Sequence, residues 1–165
     1  MDRMIATLFG IGWLKPAPGT WGSASAVLLG VLACVFLHPL LVPAGFLLAT
    51  VLGFWAVPRV LAGSADKDPS WIVIDEAAGQ WLAMSFTVVP LWRHGVSILD
   101  AWPGYVAPFL LFRLFDIWKP WLVGRADRRG DATGLMLDDL WAGLFAGIVS
   151  VILAGLYHGL LEPML

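Results

Sequence analysis

The sequence predicts an all-α, polytopic membrane protein, a bundle of about five membrane-embedded helices with a polar site at the cytoplasmic face. Hydrophobic residues make up 59% of the chain and charged residues only 13%, against roughly 25% charged residues in soluble proteins. Long apolar runs recur along the chain, and much of its charge is gathered in residues 112–141. Because 165 residues fit one domain, we expect a single membrane-embedded domain over residues 1–165.

The N-terminal region is expected to be retained, because glycines interrupt its short apolar stretch, unlike that of a secretory signal peptide. Residues 15–23 then supply prolines, glycines and hydroxyls before a long apolar run, which indicates a loop entering a helix with Thr20 or Ser23 near the N-cap. Backbone N–H groups at such a helix start either bind a phosphate oxygen or belong to an ordinary capped turn. Thr20 is therefore a candidate substrate-binding residue.

Five apolar stretches are predicted to form helices, most of them close to the roughly 20 residues that cross a bilayer. They cover residues 21–37, 40–57, 72–90, 105–119 and 140–161. The first two form a hairpin that turns at His38 and Pro39, and the third has Asp75 and Glu76 in its first turn. The fourth is shorter than the others and is closed by Pro120, since proline cannot continue a helix.

The basic residues predict that the N-terminus lies inside, because Lys and Arg favour the cytoplasmic side of short loops. With that orientation nine of the ten Lys and Arg residues lie at the inner face, and only Arg93 is outside. Ten of the twelve carboxylates fall on the same inner side, leaving Asp100 and Glu162 outside. Acidic residues do not drive orientation, so this grouping indicates a functional site.

Carboxylates from three helices are expected at one depth near the inner surface. Asp75 and Glu76 open the third helix, Asp116 lies one turn before the end of the fourth, and Asp138 and Asp139 open the fifth. Converging carboxylates repel one another unless a cation joins them, and oxygen ligands suit a hard ion such as Mg²⁺. We predict all five as catalytic residues, and all except Asp138 as Mg²⁺ ligands. The alternative is that acids and bases at helix ends pair as interfacial anchors.

Basic residues beside these acids are predicted to hold phosphate oxygens. Arg113, Asp116 and Lys119 are three residues apart and share one face of the fourth helix. Arg128 and Arg129 follow in the next polar segment. Because Arg and Lys form charge-assisted hydrogen bonds with phosphate, these four basic residues join Thr20 as candidate substrate-binding residues.

Histidine and cysteine are excluded from the inner site by the predicted topology. His38, His94 and His158 fall on or near the opposite face, and Cys34 lies within the first membrane helix. Phosphoryl chemistry would therefore use an Asp or Glu side chain, or a water molecule activated by a metal ion. A single cysteine also excludes an internal disulfide.

A face of mainly small residues is predicted on the last helix, where it allows another helix to approach closely. Residues at four-residue spacing form it: Asp139, Gly143, Gly147, Val151, Gly155 and Gly159. Asp139 is therefore expected to point into the bundle. The same face offers a contact either within one chain or between two copies in a homo-oligomer.

Five motifs then occur in a recognisable order: Pro18-Gly19-Thr20 with Gly22-Ser23, Asp75-Glu76, Phe112-Arg113-x-Phe115-Asp116-x-x-Lys119-Pro120, Asp127-Arg128-Arg129, and Gly134-x-x-x-Asp138-Asp139-x-x-Ala142-Gly143. Together they resemble the phosphatidylglycerophosphatase A family. The resemblance implies a Mg²⁺-dependent lipid phosphatase of the bacterial inner membrane. Such an enzyme removes the terminal phosphate of phosphatidylglycerophosphate to give phosphatidylglycerol. The implied partners are this substrate and membrane lipid, with no nucleic acid.

Two other classes of protein share some of these features. A CDP-alcohol phosphotransferase-like enzyme also places acids at helix ends beside Mg²⁺, but it needs one continuous motif with Asp-Gly and Ala-Arg pairs. Here Asp127 is followed by two arginines, so that motif does not fit. A non-catalytic small membrane carrier would also contain buried acids and glycine-faced helices, although it does not require the arginine-rich segment.

Overall fold

The computed structural model of the chain describes residues 1–158, which form seven α-helices and one short 3₁₀ helix. In order they are α1 (Asp2–Ala6), the 3₁₀ helix (Ile11–Trp13), α2 (Pro18–Phe36), α3 (Leu41–Leu61), α4 (Ile74–Arg93), α5 (Pro103–Trp118), α6 (Trp121–Asp127) and α7 (Ala132–Leu156). The predicted all-α class is confirmed. The predicted hairpin is also present, because α2 and α3 are joined by a short turn that contains His38 and Pro39.

We predicted about five membrane-embedded helices, but fewer helices are long and apolar enough to cross a membrane. Within residues 1–158, only α2, α3 and α7 are long and apolar enough to cross a membrane. Helix α4 begins with two carboxylates and carries further polar side chains along its length, which lowers its hydropathy. Helix α5 has 16 residues, a length of about 24 Å at 1.5 Å per residue, which is short of the hydrocarbon core.

Helix α2 begins earlier than predicted, at Pro18, because the fixed backbone angle of proline suits the first turn of a helix. The N-cap is Ala17, and Thr20 lies near it, in the first turn, as predicted. The Ser23 hydroxyl instead donates a hydrogen bond to the carbonyl of Gly19, one turn earlier, at 2.8 Å.

Helix α7 also begins earlier than predicted, at Ala132, and this moves two of the candidate acids away from its end. Asp131 is the N-cap, and its Oδ1 accepts a hydrogen bond from the backbone N–H of Gly134 at 2.7 Å. Asp138 and Asp139 therefore lie about two turns inside the helix instead of opening it. The predicted helix end at residue 161, together with Gly159 and Glu162, lies outside the described residues.

Helix α4 is central, since it packs against α2, α3, α5 and α7. Its contact with α7 is a backbone contact, because a Cβ added at Gly79 or at Gly143 would collide with the main chain of the facing helix. Gly147 packs against an aromatic ring of α4, whereas Gly155 has no neighbour within 4 Å in residues 1–158. Part of the small-residue face of α7 is thus used within the chain, and oligomerisation through this helix stays a prediction.

Candidate active site

Three of the predicted metal ligands form one group at the end of the bundle where α4 begins. One carboxylate oxygen each from Asp75, Glu76 and Asp139 lies within 4.8 Å of the other two. Asp75 and Glu76 occupy the first turn of α4, and Asp139 comes from the second turn of α7. The close approach of these two helices at Gly79 and Gly143 therefore brings the acids together.

The chemistry of this acidic group fits a metal ion. Asp75 and Asp139 are buried, with relative exposures of 6% and 4%. Within residues 1–158, Glu76 Oε2 and Asp139 Oδ1 are buried without a hydrogen-bond partner. Buried carboxylate oxygens normally have partners, because their removal from water is costly. A set of donors made only of carboxylate oxygens suits a hard divalent cation.

Asp116, the fourth predicted ligand, lies beside this group and is not part of it. Its Oδ2 is 2.8 Å from Nη1 of Arg113, and both side chains are largely buried. The negative charge of Asp116 also repels that of Asp139. Asp116 therefore connects the acidic group to a cationic side chain, and its role as a metal ligand stays a prediction.

Arg113 reaches from α5 to the start of α2. Its Nη1 donates to the hydroxyl of Ser23 at 3.4 Å and lies 3.4 Å from where a Cβ of Gly19 would stand. The same Cβ would collide with Oε1 of Glu76, so a side chain at this position would displace that carboxylate. Thr20 is half-buried in the same turn of α2, next to this contact.

Lys119 ends α5 in a left-handed backbone conformation, with φ 51°. Its ammonium group is ion-paired with Asp127 of α6 and lies 3.2 Å from Oδ2 of Asp138 in α7. Burial lowers the pKa of Lys119, but the hydrogen bonds and charges of the two carboxylates outweigh burial and raise the pKa above its usual value. Lys119 thus stays protonated and connects three helices, and its binding of phosphate stays a prediction.

Arg128 and Arg129, the other predicted phosphate-binding residues, are exposed at the end of α6. Arg129 binds both carboxylate oxygens of Asp131, at 3.2 and 3.1 Å. This contact, together with the backbone N–H of Gly134, lowers the pKa of Asp131. Arg128 forms no ion pair within residues 1–158, and its Nη1 lies over Gly124. The structure places both arginines at the surface, and within residues 1–158 neither forms an ion pair with Asp75, Glu76 or Asp139.

Three polar residues around the site were not among the predicted site residues. Asp127 appeared only within a motif, because its contact with Lys119 depends on α6, a helix that was not predicted. Ser23 was expected only near the N-cap of α2, and it accepts a hydrogen bond from Arg113. Gln80 is completely buried, and neither of its amide atoms has a hydrogen-bond partner in residues 1–158. Its spacing of four residues from Glu76 was the available signal.

Histidine and cysteine side chains lie far from the acids, as predicted. The ring of His38 is 5.2 Å from that of Trp92, which belongs to the last turn of α4, at the end opposite the acids. His94 is the C-cap of the same helix. Cys34 lines a cavity of about 250 Å³ beside Trp92 at that far end.

A family model and two relatives found by comparison with known proteins share one name. The sequence model of the family described as phosphatidylglycerophosphatase A matches residues 4–154. The chain is 32% identical over 148 residues to the phosphatidylglycerophosphatase A of Haemophilus influenzae, covering 89% of this chain and 85% of that protein. Identity to the phosphatidylglycerophosphatase A of Escherichia coli is 30% over 149 residues, covering 89% of this chain and 80% of that protein.

A third relative has a different name. The chain is 36% identical over 152 residues to a protein of Bacteroides thetaiotaomicron that is provisionally named a phosphatidylinositol-3-phosphatase. The match covers 88% of this chain and 89% of that protein. No solved structure matches the chain significantly.

Proposed function

The chain belongs to the phosphatidylglycerophosphatase A family, and from this premise we propose that it removes the terminal phosphate of phosphatidylglycerophosphate. The products are phosphatidylglycerol and inorganic phosphate, and the reaction depends on Mg²⁺. Family membership makes the chain a phosphatase, and therefore neither a non-catalytic carrier nor a CDP-alcohol phosphotransferase-like enzyme.

The observation that carries this proposal is the buried acidic group of Asp75, Glu76 and Asp139 with its unpartnered oxygens. These three residues, with Asp116 beside them, would hold the metal ion. Mg²⁺ bound there would offset the negative charge of the carboxylates and of the phosphate monoester, and would help to activate the attacking group. A phosphate dianion would otherwise be repelled by these acids.

The other predicted site residues take distinct roles in this proposal. Arg113 holds phosphate oxygens, because its guanidinium already lies between Asp116, Glu76 and the start of α2. The backbone N–H of Thr20, in the first turn of α2, faces the same region and suits an anion. Asp138 assists the acids from the adjacent position on α7, where Lys119 neutralises it.

Arg128 and Arg129 are proposed to attract the anionic head group from the surface, since both side chains are exposed at the end of α6. We place this end of the bundle at the cytoplasmic face of the bacterial inner membrane, on the basis of the nine basic residues on that side. Residues 1–165 are proposed to act as one membrane-embedded phosphatase domain.

A second candidate substrate is phosphatidylinositol 3-phosphate, because one relative carries the provisional name of a phosphatase for it. Both substrates are phosphate monoesters on a lipid head group, so the same acids would serve either reaction. They differ in the group that carries the phosphate, which is a short glycerol in one and a bulky inositol ring in the other.

The proposal is tested with purified protein in detergent micelles. Inorganic phosphate released from phosphatidylglycerophosphate is measured in parallel with release from phosphatidylinositol 3-phosphate and from phosphatidic acid. We expect the highest kcat/KM for phosphatidylglycerophosphate, and loss of activity in EDTA with recovery on addition of Mg²⁺. Preferred hydrolysis of the inositol lipid would replace the proposed substrate, and no release from any of the three would overturn the proposed function.

A further inference from the structure

A second layer of polar residues lies one helical turn deeper in the bundle than the acids. Helices α2 and α4 run side by side in the same direction, since Gly19 meets Glu76 and the carbonyl of Ala26 accepts a hydrogen bond from the Trp81 indole at 2.7 Å. Four residues after Gly19 and Glu76 come Ser23 and Gln80, about 6 Å further along each helix. These two residues therefore share one depth.

Arg113 of α5 also belongs to this second layer. It precedes Asp116 by three residues, and its Nη1 lies 3.4 Å from the hydroxyl of Ser23. Its guanidinium thus extends from the acidic group to the deeper layer. Gln80 completes the layer from α4, because it lies on the same face of that helix as Glu76.

Three polar atoms of this layer are buried without a hydrogen-bond partner in residues 1–158: Gln80 Oε1, Gln80 Nε2 and Arg113 Nε. Gln80 is completely buried in a helix that otherwise buries mainly small and apolar side chains. Unpartnered amide and guanidinium groups are costly in a core, so their presence points to a polar ligand. The layer offers two donor nitrogens, with three N–H groups between them, and a carbonyl acceptor to such a ligand.

We propose that Gln80, with Arg113 Nε and Ser23, forms a subsite for the inner part of the lipid head group, its phosphodiester and free hydroxyl. This inference rests on the proposed function. When the terminal phosphate lies at the acids, the phosphodiester lies on the side of the acyl chains, which is the deeper side. Arg113 Nε and Gln80 Nε2 donate to a phosphodiester oxygen, and Gln80 Oε1 accepts from the hydroxyl of the glycerol.

The chemistry of the two layers is therefore different. The acidic group receives a phosphate monoester, whereas the deeper layer is neutral apart from Arg113 and receives a singly charged phosphodiester. A neutral amide suits this second group because it binds a hydroxyl and a phosphodiester oxygen at the same time. Gln80 would thus act as a specificity-determining residue that recognises a head group longer than a single phosphate.

The test uses the two reaction products as separate probes of the two layers. Phosphatidylglycerol carries the phosphodiester and hydroxyls but no terminal phosphate, and inorganic phosphate carries only the group that binds at the acids. Both Kd values are measured for full-length protein in detergent with Mg²⁺ present, for the wild type, Gln80→Leu and Gln80→Asn. Ser85→Ala is the matched control, because Ser85 lies on the same helix and, within residues 1–158, its hydroxyl bonds only to the Trp81 carbonyl one turn earlier.

We expect Gln80→Leu to raise the Kd for phosphatidylglycerol on the order of tenfold, with the Kd for inorganic phosphate changed less than about twofold. Gln80→Asn should restore part of the lost affinity, and Ser85→Ala should leave both constants unchanged. Equal Kd values for phosphatidylglycerol in wild type and Gln80→Leu would overturn the subsite. So would a parallel loss for both probes in folded protein. Since these constants do not depend on turnover, they separate failure of the subsite from failure of the proposed function.

Discussion

The ammonium nitrogen of Lys119 lies 3.2 Å from Oδ2 of Asp138 while it is also ion-paired with Asp127. One cation thus holds together the end of α5, the short helix α6 and the second turn of α7. Lys119→Gln removes the charge and leaves two carboxylates facing each other. Because the lysine side chain is 31% exposed, we expect a loss of about 1–3 kcal/mol in the free energy of unfolding, between the values of surface and buried pairs.

Chemical unfolding in detergent measures this loss, and Lys67→Gln in the exposed loop before α4 is the control. The kcat of Lys119→Gln should also fall, because Asp138 neighbours Asp139. Equal stability of the two lysine variants would show that the three-helix connection contributes nothing.

Asp139→Asn tests the acidic group itself. The substitution preserves shape and removes the charge of a carboxylate that lies within 4.8 Å of Asp75 and Glu76. Mutation of residues that only support metal ligands lowers metal affinity or activity about 10- to 100-fold. Loss of a ligand itself should therefore lower kcat/KM by about a hundredfold or more. Asp100→Asn, in the exposed loop after α4, should be nearly silent. If the two variants retain similar activity as folded protein, Asp139 is not part of the centre.

Metal removal has a second readout that is independent of activity. A ligand that binds only the folded state stabilises it by about 2.7 kcal/mol at a concentration of 100 times its Kd. Mg²⁺ should therefore raise the free energy of unfolding of the wild-type protein, and EDTA should reverse the effect. In Asp139→Asn the increase should be largely absent. Stabilisation of the same size in both proteins would place the metal away from Asp139.

Arg113→Lys tests whether the site requires the shape of the guanidinium group or only its positive charge. Arg113 contacts Asp116 at 2.8 Å and Ser23 at 3.4 Å through one nitrogen, and its fork leaves other N–H groups for phosphate. Lysine keeps the charge but cannot span these partners. Loss of one charged hydrogen bond costs about 1.5–3 kcal/mol, so kcat/KM should fall by tenfold or more. Arg93→Lys at the far end of α4 is the control, and unchanged kinetics in Arg113→Lys would remove Arg113 from the site.

Local sequence patterns predicted the buried acids better than they predicted the helix boundaries and the contacts between helices around them. Asp75 and Glu76 were identified because carboxylates beside apolar runs are rare. The glycine spacing on α7 correctly predicted that Asp139 points into the bundle. The start of α7 was missed because Asp138 and Asp139 were taken as the opening of the helix, although Asp131 is its N-cap and the six residues before Asp138 are already helical. The contact of Lys119 with Asp127 was missed because it requires α6, whose seven residues carry too little periodicity to be recognised.

The last prediction concerns the side of the membrane that the acids face. The loop before α4 and the start of α7 are predicted at the inner face, since nine of ten basic residues lie on that side. In a Cys34→Ala background, a cysteine placed at the exposed Lys67 should react with a membrane-impermeant thiol reagent only in inverted vesicles. A cysteine at the exposed Ser97, after α4, should react only in right-side-out vesicles or intact cells. The two positions lie at opposite ends of α4, whose 20 residues are less apolar than those of α2, α3 and α7, so this experiment tests directly whether α4 crosses. Labelling of both from the same side would show that α4 does not cross the bilayer.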